Sequence, residues 1–118
     1  MTSETTHARL LDPDAELADL RATAPSVSGR RQRVLWRESG RVIVLFSLDP
    51  GVTLPDHAAP GTVTIQAIGG AVEVEVGEAT HRLRSTQLVA LAPGVRHAVT
   101  ATGAAPAAFV VQIAPSSS

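Results

Sequence analysis

The sequence predicts an all-β chain, a small antiparallel barrel or sandwich preceded by one short helix. Three observations carry this. From Gln32 onward, runs of β-branched and apolar residues are separated by Gly- and Pro-containing turns, with room for about nine short strands, as sandwiches and barrels require. Ala71–Val76 alternates strictly, with Val72, Val74 and Val76 on one face and Glu73 and Glu75 on the other, which is the period of a half-buried strand. One segment carries helix signals. Asp12 is placed to cap, Pro13 suits the first helical position, and Asp14 and Glu16 put negative charge in the first turn.

Taken in order, residues 1–11 read as a flexible leader, with Leu11 the one position that continues the helical pattern. A helix follows over about Pro13–Ala22, with Leu17 and Leu20 on its apolar side, and Ala24-Pro25 and Ser28-Gly29 end it. Residues 12–29 are thus helix and linker, and 30–115 the β-barrel domain. Gln32–Arg37 and Arg41–Leu48 flank Glu38-Ser39-Gly40 as a hairpin. Val52–His57 starts after Pro50-Gly51, and Thr62–Ile68 lies between Pro60-Gly61 and Gly69-Gly70. Ala71–Val76 turns at Gly77-Glu78 into Thr80–Leu83. Gln87–Leu91, Arg96–Thr100 and Ala107–Ile113 complete the set, and Ser116–Ser118 is a polar tail.

A chain of 118 residues makes one domain and buries about two-thirds of its unfolded surface. Its 44% hydrophobic content and net charge of −1 are those of a folded protein and supply no long-range field for nucleic acid or anionic lipid. All ten basic residues are Arg, and there is no Cys, which excludes disulfides and thiolate chemistry. The N-terminal segment lacks the apolar centre of a signal peptide, and no stretch approaches 18 uninterrupted apolar residues, so the expected compartment is the cytoplasm.

Two histidines stand where strand-like runs meet Gly/Pro turns: His57, reached from Gly51, and His97, reached through Pro93-Gly94-Val95-Arg96. With Gly70 between them, the spacing over Val42–Ile113 resembles the two signatures of the cupin family, Gly-x5-His-x-His-x3/4-Glu-x6-Gly and Gly-x5-Pro-x-Gly-x2-His-x3-Asn. The stretch from His57 through Pro60-Gly61 to Gln66 is also similar to a subgroup of small bacterial cupins. The resemblance implies a double-stranded β-helix jelly roll whose interior holds a divalent metal on three imidazoles and a carboxylate, and a homodimer. Gly51, His57, Gly70, Gly94 and His97 match. The second His falls on Ala59 and the Glu on Val63, or on Thr62 or Thr64 if the register slips. Thr86, Ala92 and Ala101 replace the Gly, Pro and Asn of the second signature.

Two imidazoles alone hold first-row metals weakly, so a divalent ion (Fe, Mn, Zn, Ni or Cu) would need a further donor. Gln66 on the Thr62–Ile68 strand and Gln112 on the last strand are the candidates, with Thr62, Thr64 and Asp56 also close in sequence. Alternation turns Gln66 outward if Val63 points inward, and a bulge near Gly61 would reverse that. The expected ligand-binding set is therefore His57, His97, Gln66 and Gln112, with His57 and His97 as an incomplete metal pair. Bland readings stand beside it. His57 and His97 also suit hydrogen-bonded barrel histidines left after loss of a metal. His81 suits an exposed hairpin, and Glu73 with Glu75 a solvent face. Arg30, Arg31, Arg33, Arg37 and Arg41 suit a solvated edge strand, and Trp36 a packing or interface anchor. Small Ala59, Ala67 and Ala92 suit a ligand pocket or a collapsed interior. The two apolar faces of Arg41–Leu48 imply an exposed sheet face and a dimer. Function is expected to be binding of a small organic ligand in the barrel, with or without a divalent metal. The alternatives are a metal-dependent dioxygenase or isomerase on His57 and His97, and a non-catalytic dimeric sensing or structural module.

Overall fold

The computed structural model describes residues 8–115, so the first seven residues, including His7, and the Ser116–Ser118 tail lie outside the described residues. One helix, α1 (Pro13–Thr23), precedes nine strands: β1 (Arg30–Glu38), β2 (Arg41–Leu48), β3 (Thr53–His57), β4 (Thr62–Gly69), β5 (Ala71–Val76), β6 (Ala79–Arg84), β7 (Leu88–Leu91), β8 (His97–Ala101) and β9 (Ala107–Ala114). Each expected element is present. They form two antiparallel sheets, one in the order β1-β2-β9-β4-β7 and the other β3-β8-β5-β6, packed face to face. Among the described residues no helix is long and apolar enough to cross a membrane.

Period-2 patterning fills the space between the sheets. Val63, Ile65 and Ala67 of β4, Val72 and Val74 of β5, and Phe109 of β9 are buried in one cluster with Leu48, Leu54 and Val99. Phe46 stacks on Phe109 with ring centroids 5.2 Å apart and planes 11° from parallel, which fixes the aromatic floor of the barrel. Ala67, expected near a cavity, is instead part of this filled core.

The second apolar face of β2 is covered, not exposed. Leu45 joins Leu35 and Val110 in a separate cluster under α1, sealed by Leu20, with Leu11 and Leu17 at its rim. Leu11 thus packs on the domain, although the sequence assigns it to the leader. Asp12 Oδ1 accepts from the Ala15 N–H at 3.3 Å and caps the helix. Arg21 Nε donates to the Oγ of buried Ser47 at 3.0 Å, and Arg33 Nη1 bridges Glu16 at 3.1 Å and Asp19 at 2.7 Å. Arg31 Nε donates to the Ala24 carbonyl at 2.6 Å. The arginines expected to be a solvated edge are thus partly the struts that hold α1 on the sheet. A bulge at Leu35, between Val34 and Trp36, lets Leu35 enter the α1 cluster and leaves Trp36 opposite Ile43 rather than over the core.

Candidate functional site

β3 is a short edge strand, which is why it tolerates Pro55, a residue that cannot donate to the ladder. Its pairing with β8 runs Thr53↔Thr100 and Leu54↔Val99, then slips, so that His57 meets His97. β3 uses one residue more than β8 across that interval. Regular alternation from inward-facing Leu54 would send His57 outward, and the Pro55-Asp56 bulge returns it to the face that His97 shares. The two loops that carry the histidines are tied together. The Gly94 N–H donates to the Ala59 carbonyl at 2.9 Å, and Arg96 Nε donates to Asp56 Oδ2 at 2.9 Å. That ion pair is exposed, so its role is positional rather than a large stabilisation.

The imidazole centroids are 4.3 Å apart, with planes inclined by 58°. Both rings are oriented in the same way: Nδ1 of His57 lies 2.8 Å from the Pro55 carbonyl, and Nδ1 of His97 lies 3.1 Å from the Val95 carbonyl. A carbonyl only accepts, so each Nδ1 carries the proton and each neutral ring keeps a bare Nε2 lone pair. His57 is exposed, whereas His97 is 2% exposed. No fully buried side-chain nitrogen or oxygen among the described residues lacks a partner, so the Nε2 of His97, which has none, is not sealed in. Burial pushes the His97 pKa below its ordinary value and the neighbouring His57 adds to that, against smaller upward effects of the Val95 carbonyl and Asp56.

Beside His57 a cavity of about 280 Å³ opens between the edge strands β1 and β3. Arg30 and Gln32 form the β1 wall, Phe46 the floor, and Leu54 with the bulge through His57 the opposite wall. The remaining expected ligands are elsewhere. Val63, Ile65 and Ala67 point into the core, so Gln66 lies on the outer face of the sheet, where its Nε2 donates to the Thr86 carbonyl at 3.1 Å. No bulge at Gly61 reverses that register. Gln112, between partly buried Val111 and Ile113, also faces outward and lines a separate depression of about 220 Å³ with Trp36 and Ile43. The structure therefore brings together His57 and His97 and leaves Gln66 and Gln112 on the far side of a sheet. His81 is exposed, and Glu73 is engaged by Arg82.

A protein-family model described as Cupin domain matches residues 44–113. The chain belongs to the cupin family. Its fold is that of solved cupins. An uncharacterised conserved protein with a double-stranded β-helix domain from Klebsiella pneumoniae superposes with a TM-score of 0.76 at 23% identity, over 92% of this chain and 91% of that one. A conserved protein of unknown function from Streptococcus pyogenes gives 0.72 at 21%, over 98% and 95%, and an RmlC-like cupin from Shewanella frigidimarina gives 0.68 at 17%, over 76% and 79%. A search of curated proteins finds no match.

Within this cupin the donors of a metal centre are incomplete. The two remaining signature positions hold Ala59 and Val63. Val63 is 3% exposed in the hydrophobic core, and neither side chain has a lone pair. Among the described residues no group of three or more His, Cys, Asp or Glu side chains is placed to hold a metal ion. Catalytic metal sites ordinarily use three protein ligands, so the residues present do not fit the metal centre that the cupin signatures imply. The sequence reading missed the β1 wall, Arg30 and Gln32, which lies outside the matched 44–113 segment. It also missed the bulge in β3, for which a Pro inside a strand-like run was the available signal.

Proposed function

We propose that this cupin is a binding module for a small organic molecule, held in the cavity between β1 and β3 with His57 as its polar contact and His97 behind it. The observation that supports the reading is the cross-strand imidazole pair with both Nδ1 atoms fixed on backbone carbonyls. The oriented imidazole of His57 beside an aromatic floor suits a ligand that offers a hydrogen-bond donor and apolar surface. Burial keeps His97 uncharged near neutral pH, so it serves as an acceptor rather than a cation.

The test is a thermal-shift screen of small organic molecules on the purified chain, run beside metal analysis after reconstitution with iron, manganese, zinc, nickel and copper. A binder raises the Tm, about 2.7 kcal/mol of stabilisation at a hundred times Kd, and the rise disappears in His57→Ala. Metal content stays below about a tenth per chain, as expected of a two-imidazole site. Stoichiometric metal, lost in both His57→Ala and His97→Ala, would overturn the reading in favour of a metal centre.

A further inference from the structure

The wall opposite His57 narrows the class of ligand. Arg30 is half-buried at the start of β1, where it pairs with the core residue Leu48, so it shares the face that looks between the sheets. The ion pairs among the described residues are Arg33 with Glu16 and Asp19, Arg82 with Glu73, and Arg96 with Asp56, and Arg30 has no part in them. Other arginines also lack a carboxylate, but Arg31 is spent on the Ala24 carbonyl, and Arg30 is the arginine that lines this cavity. Gln32 follows two residues later, opposite Phe46, and is an exposed residue on the same wall. The one carboxylate in the lining, Asp56, is engaged by Arg96. The cavity therefore offers one uncompensated guanidinium, one amide, and the apolar surfaces of Phe46 and Leu54.

We propose that the cavity takes a small organic carboxylate, with the anionic group on Arg30 and Gln32 and the apolar body against Phe46 and Leu54. This rests on the binding role assigned to the cavity above. A planar guanidinium matches a carboxylate with two parallel hydrogen bonds. A dianion such as phosphate fits less well, because one cation faces it and the Asp56 carboxylate lies across the same opening. At about 280 Å³ the cavity falls just below the usual range of ligand sites, about 300 to 1,000 Å³, and suits only a small molecule.

The experiment titrates the full isotope-labelled chain with benzoate and isovalerate and with their amides, benzamide and isovaleramide, followed by NMR. At least one acid shifts the amides of residues 30–32 and 54–57 and binds at least tenfold more tightly than its amide. Arg30→Gln, which breaks no ion pair, leaves the Tm unchanged, lowers the affinity for the acid at least tenfold and removes the preference over the amide. Arg30→Lys keeps part of both. Acids and amides bound equally, an Arg30→Gln chain that binds acid as the parent does, or inorganic phosphate displacing benzoate at equal concentration would each overturn the carboxylate assignment and leave the binding role standing. If no probe perturbs the cavity, while a neutral or cationic compound from the thermal screen does, the assignment fails alone. If nothing in either experiment touches it, the binding role fails with it.

Discussion

Thr86 occupies the position where the second cupin signature has glycine, and its backbone has kept the glycine conformation, φ +75°. A β-branched residue in the left-handed region is strained by about 1–3 kcal/mol. The turn persists because it is held from three directions. The Thr86 N–H donates to the Ala67 carbonyl at 2.7 Å, the Gln87 carbonyl accepts from the Ala67 N–H at 3.0 Å, and Gln66 Nε2 donates to the Thr86 carbonyl. The Thr86 side chain is exposed, so its removal loses no packing. Against the relief stands the greater freedom of glycine in the unfolded chain, about 0.5–1 kcal/mol. Thr86→Gly is therefore expected to stabilise by about 0.5–2 kcal/mol. With an unfolding entropy of about 2.1 cal/mol/K per residue, a 118-residue chain gains about 4 °C per kcal/mol, so the Tm rises by about 2–8 °C. Thr86→Ala, which keeps a Cβ, recovers less. Calorimetry of the three chains in one buffer is the assay. A Tm for Thr86→Gly at or below that of the parent would refute the claim that this backbone is strained.

Leu20→Ala removes the side chain that seals α1 on Leu35, Leu45 and Val110, and is expected to cost about 2–5 kcal/mol by denaturant unfolding. Gly61→Ala puts a Cβ 1.7 Å from the Ala114 carbonyl oxygen, and because the clash is with backbone, β4 and β9 must separate locally. A loss of about 1–3 kcal/mol is expected, with hydrogen exchange accelerated at 62–64 and 112–114. The pKa of His97 is lowered from 6.5 on folding, so the unfolded chain takes up its proton first as pH falls. The associated stability is complete above about pH 6.5, declines below it and levels off at the lower folded value. Tm measured from pH 8 to 5 should fall on the acid side, and His97→Gln should remove that part of the slope.

The elements were legible because local signals agreed with the fold. Alternation in Ala71–Val76 reappears as buried Val72 and Val74, and the Asp12-Pro13 start is the observed helix cap. What period-2 counting loses is everything downstream of a bulge, because one extra residue exchanges the faces. That is why His57 could be paired with His97 only by resemblance, and why Trp36 sits outside the core although Val34 is opposite Val44. Regular alternation, by contrast, already turned Gln66 outward once Val63 was taken as inward. The doubled apolar character of β2 was read as an exposed sheet face, whereas α1 covers that face. A single leucine pair at helical spacing, Leu17 and Leu20, gave too weak a stripe to reveal that α1 lies over Leu45. Arg30 was read with its neighbours as part of a solvated edge strand. Charge in an edge strand is ordinarily solvated, and only the meeting of β1 with β3 across the seam of the two sheets makes this arginine a wall.

That seam is where the exposed imidazole of His57 meets an open cavity. In the arrangement that the cupin signatures imply, the reactive centre lies inside the barrel, on side chains from positions equivalent to 57, 59, 63 and 97. Here the β4 position is filled by Val63, packed among Ile65, Leu91 and Phe109, and the core closes over it. An apolar residue there stabilises the interior and removes the donor, so the two effects cannot be separated by a single reversal. Val63→Glu would bury a carboxylate in the hydrophobic core and would cost stability. His57 lines a different opening, because the Pro55-Asp56 bulge sets it at the edge where β1 supplies Arg30 and Gln32. With the centre of the barrel packed with Val, Ile and Phe, the lateral cavity is the opening that the exposed His57 lines, and the proposed binding role requires that opening.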